Sequence, residues 1–371
     1  MNPGQEPIVL LQLRNLTMKL GRQAPESGIA LLKDTIWGTP GGLRYQHHNT
    51  EEKIQRQLDP WFLYLEKDGE TIGILCLDHR VISGLDTFYI RYFSFAEGLR
   101  RKDAKIDEGE AHASKGQGAF KRFAHSFFSK PTPLLEAVGI EKAVFYAFVE
   151  LENARSRDMV AQMGLTQHGQ FSTLVFSRIF NRKHSQVRRA RPEEYPQLRT
   201  MVAAAYKEHA FYADHGLFYK DNFFVVEVGG KIVAGLQAHP VQWRLIDIPG
   251  RSGKIMIRVL PYLPLVRRLM HPDAFRFAAI EGLFCLPGYE NQLQPLLEGT
   301  LTELGLHSLI IWLSTDSVLI PKIRETVRLG LLEKFKRDAP ATVVARNFGY
   351  SEAEMAPLMH HPVFVSAFDS T

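Results

Sequence analysis

The sequence predicts an α/β protein of two tandem domains, each a mainly antiparallel mixed sheet flanked by helices. Three observations predict it. The chain has 371 residues, too many for one ordinary core and suited to two domains of roughly 100–200 residues each. Trp61–Leu65, the turn Lys67-Asp68-Gly69-Glu70 and Thr71–Leu77 read as strand, Asp-Gly turn, strand. Phe223–Val228, Gly229-Gly230 and Lys231–Gln237 repeat that hairpin, again with a glycine in the second strand (Gly73 and Gly235). Finally, the apolar run Ala143–Val149 leads into the polar turn Glu152-Asn153, and Ser308–Leu313 leads likewise into Thr315-Asp316-Ser317. Turn glycine and helix cap lie 84 residues apart in one half (Gly69 to Asn153) and 86 in the other (Gly230 to Asp316). Side-chain identity between the halves is low, so the duplication is one of architecture.

Taken in order, the first half reads as helices near Ser27–Trp37 and Glu51–Leu58, the hairpin Trp61–Val81 and a long strand Thr87–Phe95. Helix Gln117–Phe128, strand Ala143–Val149, helix Ser156–Met163 and strand Phe171–Phe180 follow. A polar, basic stretch, Asn181–Gln186, divides the chain, and Val187–Tyr195 begins afresh with a short strand and a Pro-initiated, acid-rich helix start. That helix carries Leu198, Met201, Val202 and Ala205 at helical spacing. The expected domains are therefore residues 1–184 and 185–371. The second half continues with strand Phe275–Leu286, helix Gln292–Leu304, strand Leu309–Leu313 and helix Val318–Leu329. The apolar, Pro-punctuated run Val259–Met270 has no counterpart and no assigned place.

Composition narrows the function. Hydrophobic residues make up 45% and charged residues 23%, the balance of a globular protein. A net charge of +5 suits an anionic small ligand but is too weak to argue for nucleic acid, and the basic clusters at Arg100–Lys102, Arg188–Arg191 and Arg267-Arg268 read as solvated faces. Only Cys76 and Cys285 are present, each in an apolar run, so neither a disulfide framework nor a thiol nucleophile is expected. No stretch approaches the ~20 apolar residues that cross a bilayer, and Ile8–Leu13 is no secretion signal, so a cytoplasmic protein without a membrane partner is expected. His47-His48 and His360-His361 are adjacent pairs whose side chains point apart, and no metal site is expected from them.

Two motifs carry chemistry. Lys115-Gly116-Gln117-Gly118-Ala119 opens a helix. Such a turn presents unpaired backbone N–H groups at the positive end of the helix dipole, and its glycines let a pyrophosphate approach the backbone closely. The loop lacks the Gly-Lys-Ser/Thr ending of a P-loop, and it lacks the third glycine and βαβ setting of a dinucleotide fingerprint. The second motif, Glu152-Asn153-Ala154-Arg155-Ser156, caps a helix that ends at Gly164.

Together, Ala113-Ser114-Lys115-Gly116-Gln117-Gly118 and Val149–Ser156 with Met163-Gly164-Leu165 resemble the GNAT superfamily of N-acetyltransferases, over roughly Trp61 to Phe180. The resemblance implies acetyl-CoA, or a related acyl-CoA, as co-substrate. Its pyrophosphate would lie on Lys115, Gly116, Gln117, Gly118 and Ala119, and its pantetheine arm would run between the long strand (Phe93, Phe95) and the Asn153–Ser156 helix. It also implies acyl transfer to a small-molecule or peptide amine, with the oxyanion held by a backbone N–H near Phe95. Glu97, just beyond that strand, is the candidate base, since an amine of pKa ~10 must lose a proton before attack. Glu150 is an alternative.

The sequence departs from the family pattern at two points. Ala113 stands where Arg or Gln is usual, and Val160 stands where many members carry a thiolate-protonating Tyr. In the second half Pro287–Gln292 replaces the phosphate loop and keeps a single glycine, so that half is expected to lack the cofactor seat. Phe211, Tyr212, Phe218 and Tyr219 are candidates for an apolar acceptor pocket there. Two other readings stay open: a catalytically silent acyl-CoA-binding or interaction module, and an aminoacyl-tRNA-dependent transferase on the same fold.

Overall fold

The computed structural model describes residues 6–39, 41–96, 124–248, 253, 257–259, 262–336, 340–359 and 362–370. In chain order the strands are β1 (Ile8–Leu13), β2 (Leu16–Gly21), β3 (Arg44–His47), β4 (Pro60–Lys67), β5 (Glu70–Ile82), β6 (Leu85–Phe95) and β7 (Ala143–Glu150). They continue with β8 (Thr166–Ser177), β9 (Val187–Arg189), β10 (Phe223–Val228), β11 (Lys231–Asp247), β12 (Phe275–Cys285), β13 (Ser308–Ser314) and β14 (Ala341–Phe348). The helices that matter below are α1 (Glu26–Lys33), α2 (Thr50–Gln55), α3 (Thr132–Val138), α4 (Ala154–Gln162), α5 (Tyr195–Ala205), α6 (Pro264–Leu269), α7 (Leu293–Leu304) and α8 (Leu319–Thr326).

The chain forms two compact units that exchange segments. The first comprises Met1–Ile36, Asn49–His168 and Val343–Met355; the second comprises Trp37–His48, Gly169–Thr342 and Ala356–Thr371. The sequence suggests two contiguous halves, whereas β3, from the N-terminal half, pairs with β11, and most of β14, from the C-terminal end, falls in the first unit. No composition change marks either exchange.

In the first unit the strands run in the order β1-β2-β4-β5-β6-β7-β14. Neighbours from β1 to β6 are antiparallel, and β6–β7 is parallel. The β4–β5 turn places Asp68 and Gly69 at φ 52° and 87°, the paired left-handed residues that the right-handed strand twist selects in a two-residue hairpin. Alternation along β6 and β7 turns Phe88, Ile90, Phe95, Phe145 and Ala147 into one core with α3, α4 and the helical residues 124–129. Phe145 stacks on Phe88 at 5.2 Å and meets Phe128 edge-on at 5.4 Å. On the opposite face Thr35, just past α1, shares a buried 2.5 Å hydroxyl contact with Ser94.

The second unit has the order β8-β13-β12-β11-β10-β9, with β12–β13 parallel and the other pairs antiparallel. Helix α7 buries Leu293, Leu296, Leu297 and Leu301 against β10–β13, and α5 covers the other face with Leu198 and Val202. β11 runs ten residues past the expected Gln237 and contains Pro240, which pairs with Ala278 of β12. Pro240 falls between the end of the β10 ladder at Gln237 and the start of the β3 ladder at Trp243, where a missing N–H costs no ladder bond. The helix expected over Val318–Leu329 ends at Thr326, because the chain turns extended at Val327. Part of the unassigned apolar run is α6.

Arg188 ties the start of this unit together, hydrogen-bonding Glu194 at 2.7 and 2.8 Å and Glu227 at 2.6 Å. The Arg188 hydrogen bond holds the Glu194 carboxyl down at about 2. Leu297 has no exposed surface, so Leu297→Ala should destabilise the protein by about 2–5 kcal/mol, read as a lowered denaturant midpoint at unchanged slope.

Candidate functional site

The local irregularity that builds a site in the first unit lies on β6. Ile74 pairs with Ser94 and Cys76 with Arg91, so Tyr92 and Phe93 together oppose the single residue Leu75. This is a β-bulge, and Tyr92 adopts φ 55°, unusual for a bulky side chain. The Arg91 guanidinium lies 4.1 Å from the Tyr92 ring centroid and holds the ring in place. The parallel ladder to β7 covers only Thr87–Tyr89 against Val144–Tyr146. Beyond it β6 runs on to Phe95 and β7 to Glu150 without pairing to each other, so the two strands separate. Tyr89, Tyr146 and Phe148 cluster at the fork, with Tyr89 5.3 and 5.1 Å from the other two rings.

Past the fork, β7 ends and α4 begins. Asn153 caps it, its side-chain oxygen accepting the Ser156 N–H at 3.0 Å, and Gly164 (φ 75°) closes the far end. Asn153 and Ser156 therefore sit where the motif places them. Phe93 and Phe95 lie on β6 beyond its ladder to β7, their rings 5.0 Å apart and turned toward the core, so the groups they offer at the fork are backbone groups. Glu150, at the end of β7, is exposed. Val160 packs on the core. Glu97, Lys115, Gly116, Gln117, Gly118 and Ala119 lie outside the described residues.

The second unit repeats the device. Gly235 pairs with Phe284 and Gln237 with Glu281, so Gly282 and Leu283 oppose Leu236, and Gly282 has φ 61°. The β12–β13 ladder ends at Ile280–Ile311. At this fork a small hollow of about 10 Å³ opens, room for about one water molecule. Its walls are the backbones of Ile280–Leu283 and Ile311–Ser314, the side chains of Tyr206 and His209, and the segment Val363–Val365. The Tyr206 hydroxyl donates to the Leu283 carbonyl at 2.8 Å. Burial pushes the His209 imidazole down to about 4, so it is neutral at physiological pH. Of the residues expected to shape a pocket here, Tyr212 packs on Tyr206 and Phe364 behind the wall of the hollow, while Phe211, Phe218 and Tyr219 are not among its lining residues.

Glu281, one residue before the bulge, is the buried carboxylate that the sequence reading missed. Its Oε2 accepts from the Ser366 hydroxyl and the Phe368 N–H, both at 2.9 Å, with His239 Nε2 3.7 Å away. Burial pushes this carboxyl up, but His239 and the Phe368 amide outweigh it and hold it below the ordinary value. The only sequence signal was a lone charge inside the apolar run Phe277–Leu286.

The two cysteines are inert by position: Cys76 is fully buried, and burial pushes the Cys285 thiol up to about 11. His47 packs against Trp37, Tyr45 and Trp243, whereas the His48 ring bonds the Asp273 carbonyl at 2.9 Å. Among the described residues no group of three His, Cys, Asp or Glu is arranged to hold a metal, and no helix is long and apolar enough to cross a membrane. His360 and His361 lie outside the described residues.

The whole arrangement superposes, over 90% of this chain, on the GCN5-related glucosamine N-acetyltransferase region of a fungal multi-domain GH3 β-N-acetylglucosaminidase, with a TM-score of 0.52 and 11% identity. The chain has the GNAT fold. It spans 38% of the fungal protein's length. A tandem GNAT protein from the clavulanic acid biosynthesis pathway aligns over 90% of this chain and 100% of its own (TM-score 0.48, 9% identity). A GCN5-related N-acetyltransferase from Sphaerobacter thermophilus aligns over 81% and 85% (TM-score 0.44, 10% identity). No family profile and no curated protein matches the sequence. Both GNAT units of this chain keep the bulged strand and its parallel partner.

Two outcomes follow from the geometry. Asn153→Ala removes the acceptor of the Ser156 N–H and should cost about 1 kcal/mol, with faster amide exchange in the first turn of α4. His209 binds its proton less readily when folded than when unfolded, so it favours the folded state fully above about 6.5, and that contribution is lost as pH falls toward about 4. His209→Gln should flatten this part of the stability–pH curve, measured by denaturation at fixed pH values.

Proposed function

We propose that this GNAT-fold chain is an acyl-CoA-dependent N-acyltransferase whose first unit takes the acyl-CoA. The observation that carries the reading is the fork at Tyr89 and Tyr146, where the β6–β7 ladder ends and the two strands run on beside the Asn153-capped helix. Two strands that diverge in this way are chemically suited to the two amides of a pantetheine arm, because a strand backbone presents donors and acceptors in sequence. The glycine loop Lys115–Ala119 would take the pyrophosphate through backbone N–H groups and the Lys115 charge. That the fungal region on which this chain superposes is described as a glucosamine N-acetyltransferase supports the same reaction class.

The reaction is attack of a neutral amine on the thioester carbonyl. A carboxylate, with Glu97 the sequence candidate, accepts the proton from the ammonium form. A backbone N–H of β6 near Phe95 would take up the charge on the carbonyl oxygen as the C–N bond forms. The C–S bond then breaks, and the thiolate leaves with a proton delivered through solvent or a group other than Val160, which carries none. The acceptor is a small-molecule or peptide amine.

Calorimetric titration with acetyl-CoA and desulfo-CoA is expected to give micromolar binding that Gly118→Glu abolishes. Free-thiol release with a panel of amines then separates an enzyme from a silent binder. Absence of binding to either ligand would sink this reading.

A further inference from the structure

The β12–β13 fork holds a buried carboxylate whose two oxygens are treated unequally. Glu281 is 2% exposed. Its Oε2 accepts from the Ser366 hydroxyl and the Phe368 N–H, both at 2.9 Å. Among the described residues no group donates a hydrogen bond to its Oε1. His239 Nε2 lies 3.7 Å from Oε2, beyond hydrogen-bond reach. Gly216 closes one flank of Oε1, since a Cβ there would come 2.5 Å from it. Burial opposes the charge on this carboxyl, yet His239 and the Phe368 amide hold it below its ordinary value. An ionised carboxylate with one oxygen unmet in the interior carries the full desolvation penalty of that oxygen.

The hollow at the fork supplies what Oε1 lacks. Glu281 and His209 both line it, and its volume of about 10 Å³ has room for about one water molecule. The His209 Nδ1 atom is itself buried, with no hydrogen-bond partner among the described residues. Burial pushes that imidazole down to about 4, so the ring is neutral and carries a single N–H. A water can donate to Oε1 and also meet Nδ1, as acceptor or donor according to the tautomer. Of the other lining groups, the Tyr206 hydroxyl is already spent on the Leu283 carbonyl at 2.8 Å. Among the described residues no three metal-ligating side chains come together, so a cation does not fit the donor set. A pantetheine arm is far larger than the space.

We propose that the hollow is a built site for one ordered water, which bridges Glu281 Oε1 to His209 Nδ1 and closes the second fork from within. The water completes the carboxylate that fixes Ser366 and Phe368. It thereby joins β12, the turn after α5 and the Ser366–Phe368 segment at one point. The second fork is filled by solvent and leaves no room for an acyl carrier. The inference is independent of the acyl-CoA reading of the first unit.

A high-resolution crystal structure of the whole unliganded chain is the first test. One water is expected at about 2.6–3.2 Å from both Glu281 Oε1 and His209 Nδ1. In solution, oxygen-17 relaxation dispersion counts long-lived internal waters. Glu281→Leu removes the acceptor and should lower that count by one. An empty hollow, a protein donor bonded to Oε1, or an unchanged count in Glu281→Leu would each overturn the proposal. Should that variant fail to fold, the crystal structure decides alone: a water on Oε1 supports the site, and a dry hollow refutes it.

Discussion

Both forks in this molecule depend on an extra residue in a central strand. In each unit two residues of the long strand oppose one of its antiparallel partner, Tyr92-Phe93 against Leu75 and Gly282-Leu283 against Leu236. A bulge raises the local twist of the strand that carries it. A parallel neighbour follows such a strand only while their carbonyls and amides stay in register, and here the ladders end after three pairs, at Tyr89–Tyr146 and Ile280–Ile311. Burying unpaired backbone groups is costly, so a fork of this kind is stable when water, a side chain such as Tyr206, or a ligand meets them.

The two copies solve it with different residues. The first unit places a tyrosine in the left-handed region and supports it with Arg91, whereas the second uses Gly282, where the conformation carries no side-chain penalty. The position before the bulge is Arg91 in one and Glu281 in the other. That glutamate does structural work by fixing the C-terminal segment at Ser366 and Phe368. Gly216 is the complement of this arrangement, since a Cβ there would come 2.5 Å from Glu281 Oε1. The sequence that follows each bulged strand differs as well: glycines and Lys115 in the first half, Glu290, bound to Lys322, in the second.

Much of this was legible from residue order. The Asp-Gly and Gly-Gly hairpins, the Asn153 cap and the paired strand–turn–helix spacing are local signals, set by left-handed turn residues and side-chain caps within a few positions. The bulges were not legible. Thr87–Phe95 reads as continuous strand, and only its pairing with β5 reveals the extra residue at Tyr92. The exchanged segments were hidden for a related reason. β3 is four residues, Arg-Tyr-Gln-His, with no periodicity, and its place is set by long-range contacts such as the Tyr45–Trp243 stack at 3.8 Å. The hollow of the second unit was missed because its walls are backbone, and backbone edges carry no residue signature.

The central claim is that the fork between β6 and β7 is the acyl-CoA site. A crystal structure of the chain grown with acetyl-CoA tests it most directly. The account predicts density for the pantetheine arm between Ile90–Phe95 and Ala147–Glu150, with the thioester near the backbone of Phe95. Density for the arm at the β12–β13 fork, with the first fork bare, would contradict it.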